Sequence, residues 1–134
     1  MSVRTIPHLT RLSRRVYANA SEVILGMNLK QVFMLSTLRD QGELPQTMLC
    51  DMMNTTQNTV VTWLNELEDK GFVARLRDPD DRRKHNVAIS KTGEVALERA
   101  EAELRRLEDD VLAGLSGDER TQLRKLLAKA LEAL

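Results

Sequence analysis

Three cations in a row, Arg82-Arg83-Lys84, close a polar run that begins at Asp78, and Asp81 stands two residues before Arg83. An arginine on a hairpin tip suits the narrow minor groove of DNA, where the potential is most negative. A carboxylate at Asp81 suits a guanidinium fork. Arg82 and Lys84 would reach the flanking phosphates. The bland explanation of the same residues is a solvated turn with local ion pairs, worth little to stability. A second group lies upstream: Thr56, Gln57, Asn58, Thr59 and Thr62, all uncharged hydrogen-bonding residues near the start of a helical pattern. A major groove admits one α-helix, and amides there can both donate to and accept from adenine. The threonines can bond phosphate or touch a thymine methyl. The bland alternative is that Thr55 and Thr56 cap the helix and the amides are solvated.

Other chemistry finds little support. No Ser/His/Asp or Cys/His set and no phosphate-binding glycine loop occurs, so an enzyme is not expected. His8 and His85 share no ligand spacing, and one cysteine cannot build a Cys/His zinc site or a disulfide framework. No metal or other cofactor is expected. Cys50, between Leu49 and Met52, reads as a buried thiol. Asp51 beside it would raise its pKa and oppose redox sensing. Twenty basic and twenty acidic residues balance over 134 residues. Net charge alone therefore advertises no polyanion. Residues 1–50 and 71–91 are nonetheless positive and residues 92–134 acidic. Aromatics make up 3%, and Leu, Met, Ala, Glu and Arg dominate, which favours helices. No apolar run approaches the roughly 18 residues of a membrane span, and the first residues lack a signal-peptide core. A cytoplasmic protein without a membrane partner is expected.

The elements follow from periodicity. Leu9, Leu12, Val16, Ala20, Val23 and Met27 recur at threes and fours and predict a helix over about 8–26. Asn28 with Gln31 forms a capping box for a helix over 29–40, whose buried side would include Leu35, Leu38 and Phe33. Pro45 suits the first turn of a short helix to 53 that would bury Leu49, Met52 and Met53. After the turn Asn54-Thr55-Thr56, Val60, Trp63, Leu64 and Leu67 form an apolar stripe to Lys70, and Gly71 ends that helix. The period then changes to two over 72–77 and 85–90, a β-hairpin with the charged run at its tip. A helix over 91–113 carries a heptad-like seam of Leu97, Ala100, Leu104, Leu107 and Val111. Ser116 and Glu119 cap a last helix over 117–133, with Leu123, Leu126 and Leu127 on one face. A short helix, a turn, a helix with a polar start and a hairpin make a winged helix-turn-helix. The fold class is therefore mainly α with a small β-hairpin wing, in a single domain spanning 1–134.

This order resembles the multiple-antibiotic-resistance regulator (MarR) family of bacterial transcription factors. The most specific stretches are Asn54 to Val60, Leu67 to Val73, Arg77 to Lys84, and Val87 to Gly93 with its Ser90-x-x-Gly93. The resemblance implies a homodimer whose helices over about 8–27 and 91–134 dimerise, with the winged part at about 29–90. Leu9, Leu107, Val111, Leu123, Leu127 and Leu131 would then lie in the dimer interface. It also implies a repressor on a palindromic operator in double-stranded DNA, released by a small phenolic or lipophilic anion. By position His8, Leu12, Val16 and Phe33 would line the effector pocket. The chain departs from the family at Thr62 and Glu66, where many members carry arginine. Glu66, Glu68 and Asp69 should repel phosphate and shift its binding to the wing, Arg39 and Lys30. A winged-helix module that binds protein instead of DNA is the competing reading.

Overall fold

A computed structural model describes residues 4–134, apart from the side chain of Val23. Its elements are α1 (Thr5–Asn19), α2 (Glu22–Leu25), α3 (Leu29–Gln41), β1 (Leu44–Pro45), α4 (Gln46–Met52), α5 (Gln57–Asp69), β2 (Val73–Arg77), β3 (His85–Ile89), α6 (Lys91–Val111) and α7 (Gly117–Glu132). The chain divides into two compact units. One comprises Ala20–Glu103; the other comprises the residues through Asn19 together with Leu104–Leu134. The α6 helix gives its first half to the former and its second half to the latter.

The expected first helix is two. It stops at Asn19, whose side-chain amide donates to the Arg15 carbonyl, and restarts as α2, where the Leu25 N–H bonds the Ser21 carbonyl. Apolar residues continue in register across this break, so periodicity alone does not show it. The capping box at Asn28 and Gln31 forms as expected and opens α3. The hairpin has a third strand: Leu44 and Pro45 pair with Val87 and Asn86, giving the order β1-β3-β2. A two-residue strand is too short to show a period. Its proline sits at an edge, where a missing N–H removes no ladder bond.

The core of the Ala20–Glu103 unit holds Met27, Val32, Met34, Leu35, Leu38, Leu49, Val60, Leu64, Leu67, Val87 and Leu97, each at most 1% exposed. Every buried hydrophobic residue among the described ones lies between Leu25 and Ala100. Phe33 and Met52 are 44% and 46% exposed, contrary to their expected burial, and Met53 is half-buried. Phe33 lies on the outer side of α3, between the buried pairs Gln31–Val32 and Met34–Leu35. In α4 a seven-residue helix buries Leu49 alone.

One junction ties four element ends together. Gly71 takes a left-handed φ of 78° after α5, and the Phe72 N–H bonds the Leu67 carbonyl. Ser90 Oγ donates to the Gly71 carbonyl (2.5 Å) and accepts from the Gly93 N–H (3.0 Å). The Ser90 N–H bonds the Phe72 carbonyl (3.0 Å). A Cβ on Gly93 would lie 2.1 Å from that carbonyl oxygen and 2.9 Å from Ile89 Cγ1. The Ser90-x-x-Gly93 signature is thus a packing requirement at the start of α6. Gly93→Ala should lower unfolding free energy by roughly 1–3 kcal/mol, read from the midpoint of a urea titration.

In the other unit, α1 and α7 bury no residue. Ser116 and Glu119 form the expected box, and its hydrogen bonds hold the Glu119 carboxyl below its ordinary pKa. Arg120 Nη1 donates to Asp109 Oδ1 (2.7 Å), joining α7 to α6.

Candidate nucleic-acid interface

The turn between α4 and α5 places Asn54 at φ 51°, a left-handed position that asparagine tolerates. Thr56 then caps α5: its Oγ1 lies 3.3 Å from the Thr59 N–H and 2.7 Å from the Thr59 hydroxyl. Thr62 Oγ1 donates to the Asn58 carbonyl (3.0 Å). These three hydroxyls therefore begin with partners inside the helix, as the capping alternative holds for Thr56. Gln57 and Asn58 differ. Both are exposed, and among the described residues their side-chain amides make no hydrogen bond. No acidic residue stands in the first turn of α5, so its amino end keeps the positive side of the helix dipole.

The far end of α5 is more engaged than its acidity suggests. Glu66 Oε2 accepts from Gln31 Nε2 of α3 (2.8 Å). Glu68 lies 3.7 Å from Arg75 Nε, and Arg75 also donates to Asn65 Oδ1. Arg75 stands on β2, so one side chain joins the wing to α5. Lys70 Nζ donates to the Gly26 carbonyl (2.9 Å).

The wing pairs Val73 with Ile89 through Arg77 with His85. Its tip is closed by its own backbone and carboxylates. The Asp78 N–H bonds the Lys84 carbonyl, and the Lys84 N–H bonds the Asp81 carbonyl, both at 3.0 Å. Asp78 Oδ1 accepts from the Asp80 N–H (2.8 Å). Asp81 Oδ1 accepts from the Arg83 N–H (3.0 Å). This corrects the expected role of Asp81. Among the described residues it makes no ion pair with the Arg83 guanidinium, because a carboxylate two residues back captures the backbone N–H instead. Arg82, Arg83 and Lys84 are exposed, and among the described residues none has an ion-pair partner. Arg77, at the base of the tip, is a fourth exposed cation. Period two alone would place it on the face of buried Val73, so the strand pattern does not reveal its exposure.

Arg39 is not free to take phosphate. It bonds Glu101 on α6 through both terminal nitrogens and Asp40 through Nε (3.0 Å). The hydrogen bonds to Glu101 and then Asp40 push its pKa upward. The Cys50 thiol is half-buried, and burial and then Asp51 raise its pKa, which suits a structural thiol.

The four effector-pocket candidates divide between the units. Leu12 and Val16 line an apolar groove of about 320 Å³ with Leu9, Leu104, Leu107, Val111, Leu123 and Leu127. His8 lines a separate hollow with Arg11, Leu12 and Arg15. Phe33 belongs to α3. Five of the six dimerisation candidates border the groove, and Leu131 is exposed on α7. No group of three His, Cys, Asp or Glu among the described residues could hold a metal.

The model of the MarR family matches residues 27–85, from the residue before the Asn28 cap to the first residue of β3. A solved probable transcriptional regulator from Pseudomonas aeruginosa is 30% identical, with a TM-score of 0.77 over 94% of this chain and 96% of that one. The chain belongs to the MarR family. An uncharacterised HTH-type transcriptional regulator of Bacillus subtilis, YdgJ, is 31% identical over 108 residues, 81% of this chain. The chain spans 66% of that relative's length. BpsR of Bordetella bronchiseptica, whose DNA binding is regulated by 6-hydroxynicotinic acid, is 25% identical, with a TM-score of 0.78 over 95% of this chain and 98% of that one. The MarR match thus includes α4, α5, β2 and the whole wing tip, while the Ser90–Gly93 junction lies outside it.

The role of Asp81 has a direct check. Asp81→Asn keeps an acceptor for the Arg83 N–H and should leave its amide exchange slow. Asp81→Ala should speed that exchange. Equal rates in the two variants would return Asp81 to a charge role.

Proposed function

We propose that the protein is a homodimeric transcriptional repressor that binds a palindromic operator and is released by a small effector. The observation that carries this reading is the pairing, in one unit, of an α5 start with unengaged amides and a wing tip with unpaired cations. Gln57 and Asn58 are free to read base edges, and the Thr56 cap, which accepts from the Thr59 N–H, holds them at the helix start. Thr62 keeps acceptor capacity beside them. Arg83 enters the minor groove, Arg82 and Lys84 meet phosphates, and Asp81 holds the tip in shape.

The second copy supplies the second reading head. Two heads one helical turn apart, about 34–36 Å, engage a two-fold site together. The apolar groove bordered by Leu9, Leu107, Val111, Leu123 and Leu127, with Leu131 beyond it, is the surface a partner covers. An effector acts by binding better to a dimer whose heads are wrongly spaced. A phenolic or other lipophilic anion suits Leu12 and Val16 with His8 nearby. The BpsR regulator supports a small aromatic acid as the class. A cytoplasmic location fits, since no described helix is long and apolar enough to cross a membrane. The exposed acidic end of α5, Glu68 and Asp69, favours the competing reading of a protein-binding winged helix.

Fluorescence anisotropy on duplex from the protein's own upstream region, against scrambled duplex, separates the two. Wild type should bind the former with a steep negative salt slope. Arg83→Ala should weaken it roughly 10- to 100-fold and flatten the slope by about one. A folded dimer that binds neither duplex at low salt would favour the protein-binding module.

A further inference from the structure

We propose that Gln31 is a positioning residue for DNA reading, setting the rotation and height of α5 through Trp63 and Glu66. This rests on the DNA-binding reading above. Gln31 is 1% exposed and is the one buried polar side chain among the described residues. Such a group costs stability unless its amide is satisfied. Its Oε1 accepts from the Asn28 N–H (3.0 Å). Its Nε2 donates to the Trp63 carbonyl (3.2 Å) and to Glu66 Oε2 (2.8 Å). One amide thus joins the cap of α3 to two points on α5 almost a turn apart.

The apolar stripe of α5 cannot do this alone. Contacts through Val60, Leu64 and Leu67 are non-directional and tolerate a small roll or slide. A hydrogen bond to one chosen carbonyl does not, because it weakens steeply with angle. The second bond, to a carboxylate, is charge-assisted and the stronger of the two. Base-edge hydrogen bonds by Gln57 and Asn58 need the same precision. Glu66 also follows Thr62 by one turn on the helix surface. Its carboxylate is held by the Gln31 amide, while Thr62 Oγ1 donates to the Asn58 carbonyl. Glu66 is here an acceptor for α3.

The experiment compares Glu66→Ala, Glu66→Gln and Gln31→Met. The probe is the duplex that wild type enriches from a random library, with scrambled duplex as control. Both Glu66 variants lose the charge, but only Glu66→Gln keeps an acceptor. The readout is the operator-to-scrambled affinity ratio. Trp63, the single tryptophan, serves as a local reporter by near-ultraviolet circular dichroism. Glu66→Ala and Gln31→Met should each lower the ratio roughly tenfold and shift the Trp63 signal. Glu66→Gln should stay within about twofold of wild type on the same scale. Equal ratios in the two Glu66 variants would overturn the proposal, as would a folded Gln31→Met with the wild-type ratio. If Gln31→Met does not fold, the Glu66 pair decides. A wild type that enriches no duplex sinks the DNA-binding reading itself, and this inference with it.

Discussion

Ser90 holds the winged unit at the point where its secondary structure changes period. Its hydroxyl donates to the carbonyl that ends α5 and accepts the N–H that opens α6, while its own N–H bonds Phe72. Each of these backbone groups sits at an element end, where no regular ladder would satisfy it. The packing is so close that Gly93 has no room for a side chain. The direction of β2 as it leaves α5 and the placement of α6 after β3 both follow from that contact. A wing that swung freely on α5 could not present its tip and the helix to one duplex together.

Around this junction, polar side chains fix what apolar packing leaves loose. Val60, Leu64 and Leu67 bury one face of α5, each worth roughly 1.5–3 kcal/mol. Such burial fixes which face is inside but not the angle to better than a fraction of a turn. Arg75 ties α5 to β2 through Asn65 and Glu68. Gln31 ties it to α3. At the tip, Asp78 and Asp81 spend their oxygens on backbone N–H groups, leaving the cations of 82–84 facing solvent. Carboxylates and cations adjacent in sequence thus do different work. The acids shape the loop, and the bases stay exposed.

Features with a local cause could be read from the sequence. Both capping boxes, the stripe of α5, the glycine after it and the period-two wing rest on residues within a few positions of one another. Features set by distant partners could not. The strand at Leu44–Pro45 exists because β3 offers it an edge. Gln31 shows as a cap residue, and its bond to Glu66, thirty-five positions away, has no local signal. The acidity of Glu66 therefore looks repulsive in sequence and is a tether in the fold. Arg39 looks available for phosphate until Glu101 comes beside it. The break after Asn19 is hidden because apolar spacing runs through it.

The unit built from α1, the end of α6 and α7 has an apolar groove and no buried residue on α1 or α7. Its leucines account for the proposed second copy, and two copies for a two-fold operator. The measurement closest to this claim is selection of bound duplexes from a random library, followed by sequencing. The expected result is an enriched motif with two-fold symmetry and half-site centres about 10 base pairs apart. Enrichment of an unpaired half-site, or of no motif by a folded protein, would contradict it.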